Sequence, residues 1–157
     1  MTIQVRGRRV PVALAALVAL TTAGCISPAR TGDQYHAKAV TAVEAASGEV
    51  ATVQLAVSQR VSGRIPGPYA DEVVTSSETT LGSIGTAFGS VQPPSPASDR
   101  TRDDVAEALS TAQDAAAHAR IAVRRDAHGD YEDVLAELRT AAADLSAVEE
   151  QLRGRSG

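Results

Sequence analysis

Among its 157 residues the chain has one cysteine, no tryptophan, one phenylalanine, three tyrosines and three histidines. A single cysteine excludes an intramolecular disulfide framework. It also excludes covalent haem attachment through C-x-x-C-H, and so few aromatics leave little from which to build a bulky cofactor pocket. Basic residues are in deficit, 15 against 19 acidic ones for a formal net charge of −4, which argues against a nucleic-acid binder. Neither G-x-S-x-G nor a P-loop occurs, so no familiar enzyme motif is present and the chain reads as non-catalytic. No run approaches the roughly 20 apolar residues that a helix needs to cross about 30 Å of hydrocarbon. The longest extends from Val10 to Leu20 and is interrupted only by Pro11.

What is present begins with that run. Arg6, Arg8 and Arg9 precede it with no acidic residue, the order of a basic n-region and an apolar h-region in an export signal. Leu20-Thr21-Thr22-Ala23-Gly24-Cys25 follows, and it resembles the lipobox of bacterial lipoprotein precursors, with small residues just before an obligatory cysteine. The resemblance implies a diacylglyceryl group on the Cys25 thiol and cleavage between Gly24 and Cys25. Residues 1–24 are then a cleavable signal peptide and Cys25 the lipidated first residue of a protein held on the outer face of the cell membrane. Each buried methylene contributes about 0.8 kcal/mol, and two acyl chains anchor where one is marginal. Arg8-Arg9 leaves general secretion and twin-arginine export both open. Removing residues 1–24 takes away three arginines and no acid, leaving 12 basic and 19 acidic side chains, a net charge of −7. Membrane contact therefore falls to the lipid on Cys25 rather than to a basic face. Arginine outnumbers lysine fourteen to one, a bias that suits a high-GC bacterial genome.

Residues 25–32, with Ser27, Pro28 and Gly32, read as a short tether, and residues 33–153 as an all-α antiparallel four-helix bundle. Thr31 and Asp33 are N-cap candidates for a first helix over about 33–62. Its stripe is Val40, Val43, Val50, Val57 and Val61, with Ser47 and Gln54 on the same face and Gly63 as the stop. Pro66-Gly67-Pro68 turns the chain into a second helix over about 68–91. There Asp71 and Glu72 suit the first turn, and Val74, Ser77, Leu81, Ile84, Phe88 and Val91 form the apolar stripe. Gly82, Gly85 and Gly89 interrupt it, each interior glycine costing about 1 kcal/mol against alanine, so this helix is expected to be the least stable.

Pro93, Pro94 and Pro96 predict an extended connection from Gln92 to Ser98, after which Thr101 and Asp104 resemble a capping box opening a third helix over about 101–128. Val105, Leu109, Ala112, Ala116, Ala119 and Val123 make its stripe. Arg120, Arg124 and Arg125 crowd its last turns, where they suit the helix dipole better than a binding patch. Gly129 turns the chain and Asp130 caps a fourth helix over about 131–153. Its apolar spacing is the most regular of the four: Tyr131, Val134, Leu138, Ala141, Leu145, Val148 and Leu152. Residues 154–157 are expected to fray. No segment alternates with period two between turns, so no sheet is expected.

Two histidines have carboxylates at helical spacing, Asp33 with His36 and Asp114 with His118, which makes them candidate metal ligands. The glutamates of a di-iron bundle are missing, so solvated surface ion pairs are the preferred reading, and no cofactor is implied. The adjacent acids Asp103-Asp104, Glu132-Asp133 and Glu149-Glu150 diverge by about 100 degrees on a helix and are assigned to solubility. The functional expectation is a membrane-anchored, non-catalytic helical module that contacts another envelope protein. The alternative is a helical bundle that binds a small molecule, metal or signal between its helices, near the glycines of the second segment.

Overall fold

The structure, a computed structural model, describes residues 31–155. Gly24, Cys25, the signal segment 1–24 and most of the tether lie outside the described residues, as do residues 156–157. The described chain is all-helical: α1 Gly32–Val61, α2 Gly67–Gly89, α3 Pro96–Arg125 and α4 Tyr131–Gly154, with a 3₁₀ turn at His128–Asp130 before α4. α1 packs against the other three helices, and α3 packs against α2 and α4, so the four enclose one core.

Each boundary has a local cause. Thr31 is the N-cap of α1, its Oγ1 accepting from the Gln34 N–H at 3.3 Å, while Asp33 lies in the first turn and favours the positive end of the helix. α1 is closed off just past Val61 by Gly63, φ 67°, where the Gly63 N–H donates to the Arg60 carbonyl and the Arg64 N–H to that of Gln59. That paired pattern satisfies carbonyls the helix would otherwise leave open, and glycine takes the left-handed angle without steric penalty. The same pattern ends α3 with Asp126, φ 50°, the only non-glycine residue at positive φ among those described.

Three predicted boundaries are corrected. α3 begins at Pro96, not Thr101, because Ser95 is the N-cap, accepting from the Ser98 N–H at 3.3 Å. A proline at the first helical position loses no hydrogen bond, since that N–H has no partner within the helix in any case. Thr101 is therefore buried inside α3, and its hydroxyl accepts from Arg155 Nη1 at 2.8 Å. Asp130 stands at the N-cap of α4 as expected, but its side chain makes no cap hydrogen bond, because the 3₁₀ turn already leads the backbone into the helix. The expected fraying after residue 153 is absent through Arg155: α4 extends to Gly154, and Arg155 is held by Thr101 and Asp104.

The core is small-residue rich. Val43, Val50, Val53 and Val57 of α1 face Val74 and Leu81 of α2, Val105 and Leu109 of α3, and Leu138 and Leu145 of α4. Ala39, Ala46, Ala112, Ala116, Ala119 and Ala141 fill the gaps. At roughly 25 cal/mol per Å² of apolar surface removed from water, these faces supply the main favourable term, and alanines at the contacts let helix axes approach closely. The α1 stripe holds except at Val61, which is 50% exposed because it is the last helical residue and nothing covers it. Two amides reach carbonyls of neighbouring helices: Gln54 Nε2 donates to Leu138 O at 2.9 Å and Gln113 Nε2 to Leu81 O at 3.3 Å. A Cβ on Gly85 would lie 2.5 Å from Gln113 Nε2, whereas Gly82 and Gly89 face open space. The glycines of α2 thus permit close packing at one position only.

Ion pairs bind α2 to α3. Arg120 pairs with Glu78, whose hydrogen bond to the guanidinium raises the arginine pKa further, and Arg124 Nε lies 2.7 Å from Asp71 Oδ1. Asp71 does not occupy the first turn of α2, which starts at Gly67, and serves Arg124 instead. Two of the three arginines near the end of α3 thus join helices, in addition to suiting its dipole.

Candidate functional site

The two histidine–carboxylate candidates sit in different places. His118 on α3 places Nδ1 2.7 Å from Glu137 Oε2 on α4, with both side chains about half exposed. Asp114, one turn earlier, lines the same shallow surface depression of about 250 Å³. Asp33 and His36 occupy the first turns of α1 and line a different cavity. Among the described residues no three His, Cys, Asp or Glu side chains gather as metal ligands.

That other cavity, about 850 Å³, is open to solvent where α1 and α3 begin. Ser95, Ser98 and Thr101 contribute hydroxyls to it, Arg100 and Arg155 contribute guanidinium groups, and Tyr35 forms part of its wall. Ser95 Oγ and Ser98 Oγ bond each other at 3.0 Å, and Arg155 is engaged by Thr101 and Asp104. The polar lining is therefore mostly spent on holding chain ends together. Tyr35 itself is 1% exposed, stacks obliquely on Phe88 with ring centroids 5.6 Å apart, and its hydroxyl has no hydrogen-bond partner among the described residues. Burial pushes the Tyr35 hydroxyl pKa up, with the acids Asp99 and Asp103 adding to the shift and Arg102 opposing it.

A second concavity runs along the seam of α1 and α2. It is a groove of about 470 Å³ with Ala42, Phe88 and Val91 as buried floor, Ala45 and Ile84 as walls, and Lys38 at its rim. Its chemistry is apolar apart from the Lys38 ammonium and the Thr41 hydroxyl, and the latter already donates to the Ala37 carbonyl at 3.0 Å. Helical spacing explains the lining: Ala42 lies on the inward edge of α1, Ile84 and Phe88 stand four apart on α2, and Val91 follows just past its end.

Where α1 and α3 end, Arg60, Asp126, His128 and Tyr131 form a cluster. Asp126 pairs with Arg60, and the His128 ring meets the Tyr131 ring edge-on at 5.6 Å. Burial pushes the Tyr131 pKa up as well, so both buried phenols remain protonated through the neutral range.

The arrangement offers binding surfaces of two kinds, one polar and largely self-satisfied, one apolar with a single cation. Sequence reasoning anticipated neither Lys38 nor the groove, because a groove arises from how the flanks of two helices meet, here Ala37, Ala42 and Ala45 of α1 beside Ile84, Ala87 and Phe88 of α2. The glycines of α2 do not line this groove: Gly85 faces Gln113 of α3, and Gly82 lines a separate depression with Asp114 and Ala117. No protein family, no curated protein and no solved structure matches the chain.

Proposed function

We propose that the chain is a lipoprotein precursor whose helical domain, anchored through lipid on Cys25 to the extracytoplasmic face of the cell membrane, acts without catalysis as an interaction or envelope accessory module. The observation that carries this reading is Leu20-Thr21-Thr22-Ala23-Gly24-Cys25 directly after a basic segment and an apolar run. Support comes from the spacing: Cys25 stands seven residues before Gly32, the first residue of α1, so an anchored bundle lies close to the bilayer. No helix of the described residues is long and apolar enough to cross a membrane, and anchoring by lipid needs none. We read the helices as an antiparallel up-down-up-down bundle. Tyr35 of α1 against Phe88 of α2, Arg60 of α1 near Asp126 after α3, and Arg155 after α4 against Thr101 of α3 support that course.

Intact-mass and lipid-labelling analysis of the protein from its native membrane tests the reading, with Cys25→Ser compared and cross-linked partners identified for each form. A diacylated Cys25 as first residue, and a soluble Cys25→Ser form that loses its partner, are the expected results. An unlipidated, released native protein overturns it. A second reading, a bundle that binds a small molecule between its helices, is favoured by the apolar groove of α1 and α2.

A further inference from the structure

We infer that the groove between α1 and α2 binds the hydrocarbon chain of a fatty carboxylate, with the anionic head at Lys38. Three observations carry this. The floor and walls, Ala42, Ala45, Ile84, Phe88 and Val91, are hydrocarbon throughout, and the groove of about 470 Å³ falls in the range of small-molecule sites. Its lining runs from Ala37 to Ala45 along α1 and from Ile84 to Val91 beside it. From Lys38 to Ala45 α1 rises about 10 Å at 1.5 Å per residue, a shape that suits a chain rather than a fused ring system.

The second observation concerns charge. Lys38 is the only lysine of the protein and forms no ion pair among the described residues, in a domain whose arginines near helix ends are mostly engaged. It is partly buried, so its stem covers apolar surface while the ammonium stays in water at the rim. Facing it, the chain from Thr79 to Ser98 contains no charged residue at all, which leaves Lys38 without competition from α2. Along the same face of α1 the next charge is Glu49, one turn past Ala45. A cation at one end and an acid beyond the other orient an amphiphile head-first toward Lys38.

Third, the groove lies on the first turns of α1, the part of the bundle nearest to Cys25 in sequence. A fatty acid partitioned into a bilayer beside the protein would have a short path to it. Binding does not require lipid on Cys25, however, and the two ideas fail separately.

The test uses the full chain produced in bacteria, as wild type, Cys25→Ser, Ala45→Phe and Lys38→Glu, and exposes membranes and medium to a diazirine-bearing palmitate before illumination and peptide mapping. A palmityl alcohol carrying the same diazirine is the uncharged control. Label on peptides spanning residues 37–45 and 84–91 is expected in wild type and in Cys25→Ser. Ala45 is exposed, so phenylalanine there occludes the groove without entering the core, and labelling should fall about tenfold. Lys38→Glu should lower labelling by the acid about threefold while leaving that by the alcohol unchanged. Diffuse label, or label at the groove that Ala45→Phe does not reduce, overturns the inference. Label confined to Cys25→Ser would mean that the protein's own acyl chain fills the groove, and it overturns the fatty-acid assignment. Helical content by circular dichroism distinguishes an occluded groove from an unfolded variant.

Discussion

The carboxylate of Asp126, held in the left-handed region at φ 50°, pairs with the guanidinium of Arg60 at the far end of α1. One residue thus terminates α3 and ties it to α1. The left-handed angle costs a non-glycine residue roughly 1–2 kcal/mol, though aspartate is among the residues that tolerate it best. The ion pair offsets part of that cost, since the Arg60 side chain is only 19% exposed while Asp126 is 55% exposed.

Asp126→Ala keeps the backbone strain and loses the ion pair, so it should destabilise the bundle by about 1–2 kcal/mol. Asp126→Gly loses the pair but removes the strain, and its stability should fall within about 0.5 kcal/mol of wild type. Urea denaturation of the two variants separates the effects, and equal losses would show that strain plays no part.

Gly82 faces open space inside α2, so Gly82→Ala should stabilise by about 0.5–1 kcal/mol through helix propensity alone. Gly85→Ala forces Gln113 from its bond to the Leu81 carbonyl and should gain nothing or lose stability. In a Gln113→Ala background the Gly85→Ala change should become stabilising, a reversal that thermal melting of the four combinations reads directly.

Leu145 is fully buried at the contact face of α4, and Leu145→Ala should cost about 2–5 kcal/mol. Leu55 is 61% exposed on α1, so Leu55→Ala should change stability by no more than about 0.5 kcal/mol. A large loss at Leu55 in the native membrane form, absent from the isolated chain, would mark it as a partner contact.

Tyr35 carries a buried hydroxyl without a hydrogen-bond partner among the described residues, and its pKa is raised from the ordinary 10.0 by burial first of all. The folded state therefore holds the proton more tightly than the unfolded chain. Its stabilising contribution is complete below about pH 10 and is lost as pH rises from there through the higher folded-state pKa. Tyr35→Phe should leave stability at neutral pH unchanged or raise it by about 1 kcal/mol, because a buried unsatisfied hydroxyl is removed. It should also flatten the alkaline loss, as measured by denaturation between pH 8 and 11.

Particular residues show what could be read from the chain. The spacing of Tyr131, Val134, Leu138, Ala141, Leu145, Val148 and Leu152 gave the buried face of α4 without error, because regular threes and fours admit one helical face only. In α1 Val43, Val50 and Val57 were legible, yet Ala39, Ala46 and Val53 share the core: alanine carries too little periodic signal in a sequence so rich in it, and Val53 falls outside the stripe drawn through Gln54. The start of α3 was misread because Pro96 signals both a break and a first helical turn. Only the Ser95 hydroxyl on the Ser98 N–H distinguishes the two. Asp33, His36, Asp114 and His118 were visible as pairs on single helices. That Glu137 of another helix meets His118 was not, since the eighteen intervening residues carry no record of the contact.

By itself the sequence determined the helical class, the four stripes, the chain reversals at Gly63 and at Gly129–Asp130, and the lipobox-like segment ending at Cys25. Those features depend on residues close together along the chain, through periodicity, capping and backbone preference. Tertiary structure alone decided which flanks of neighbouring helices face each other. It set Arg120 on Glu78, Arg124 on Asp71, Gln113 against Gly85 and Arg155 on Thr101, and it left an apolar groove beside Lys38. Each depends on the rotation and height of one helix against another, quantities set by the fit of whole packed surfaces and encoded at no single position.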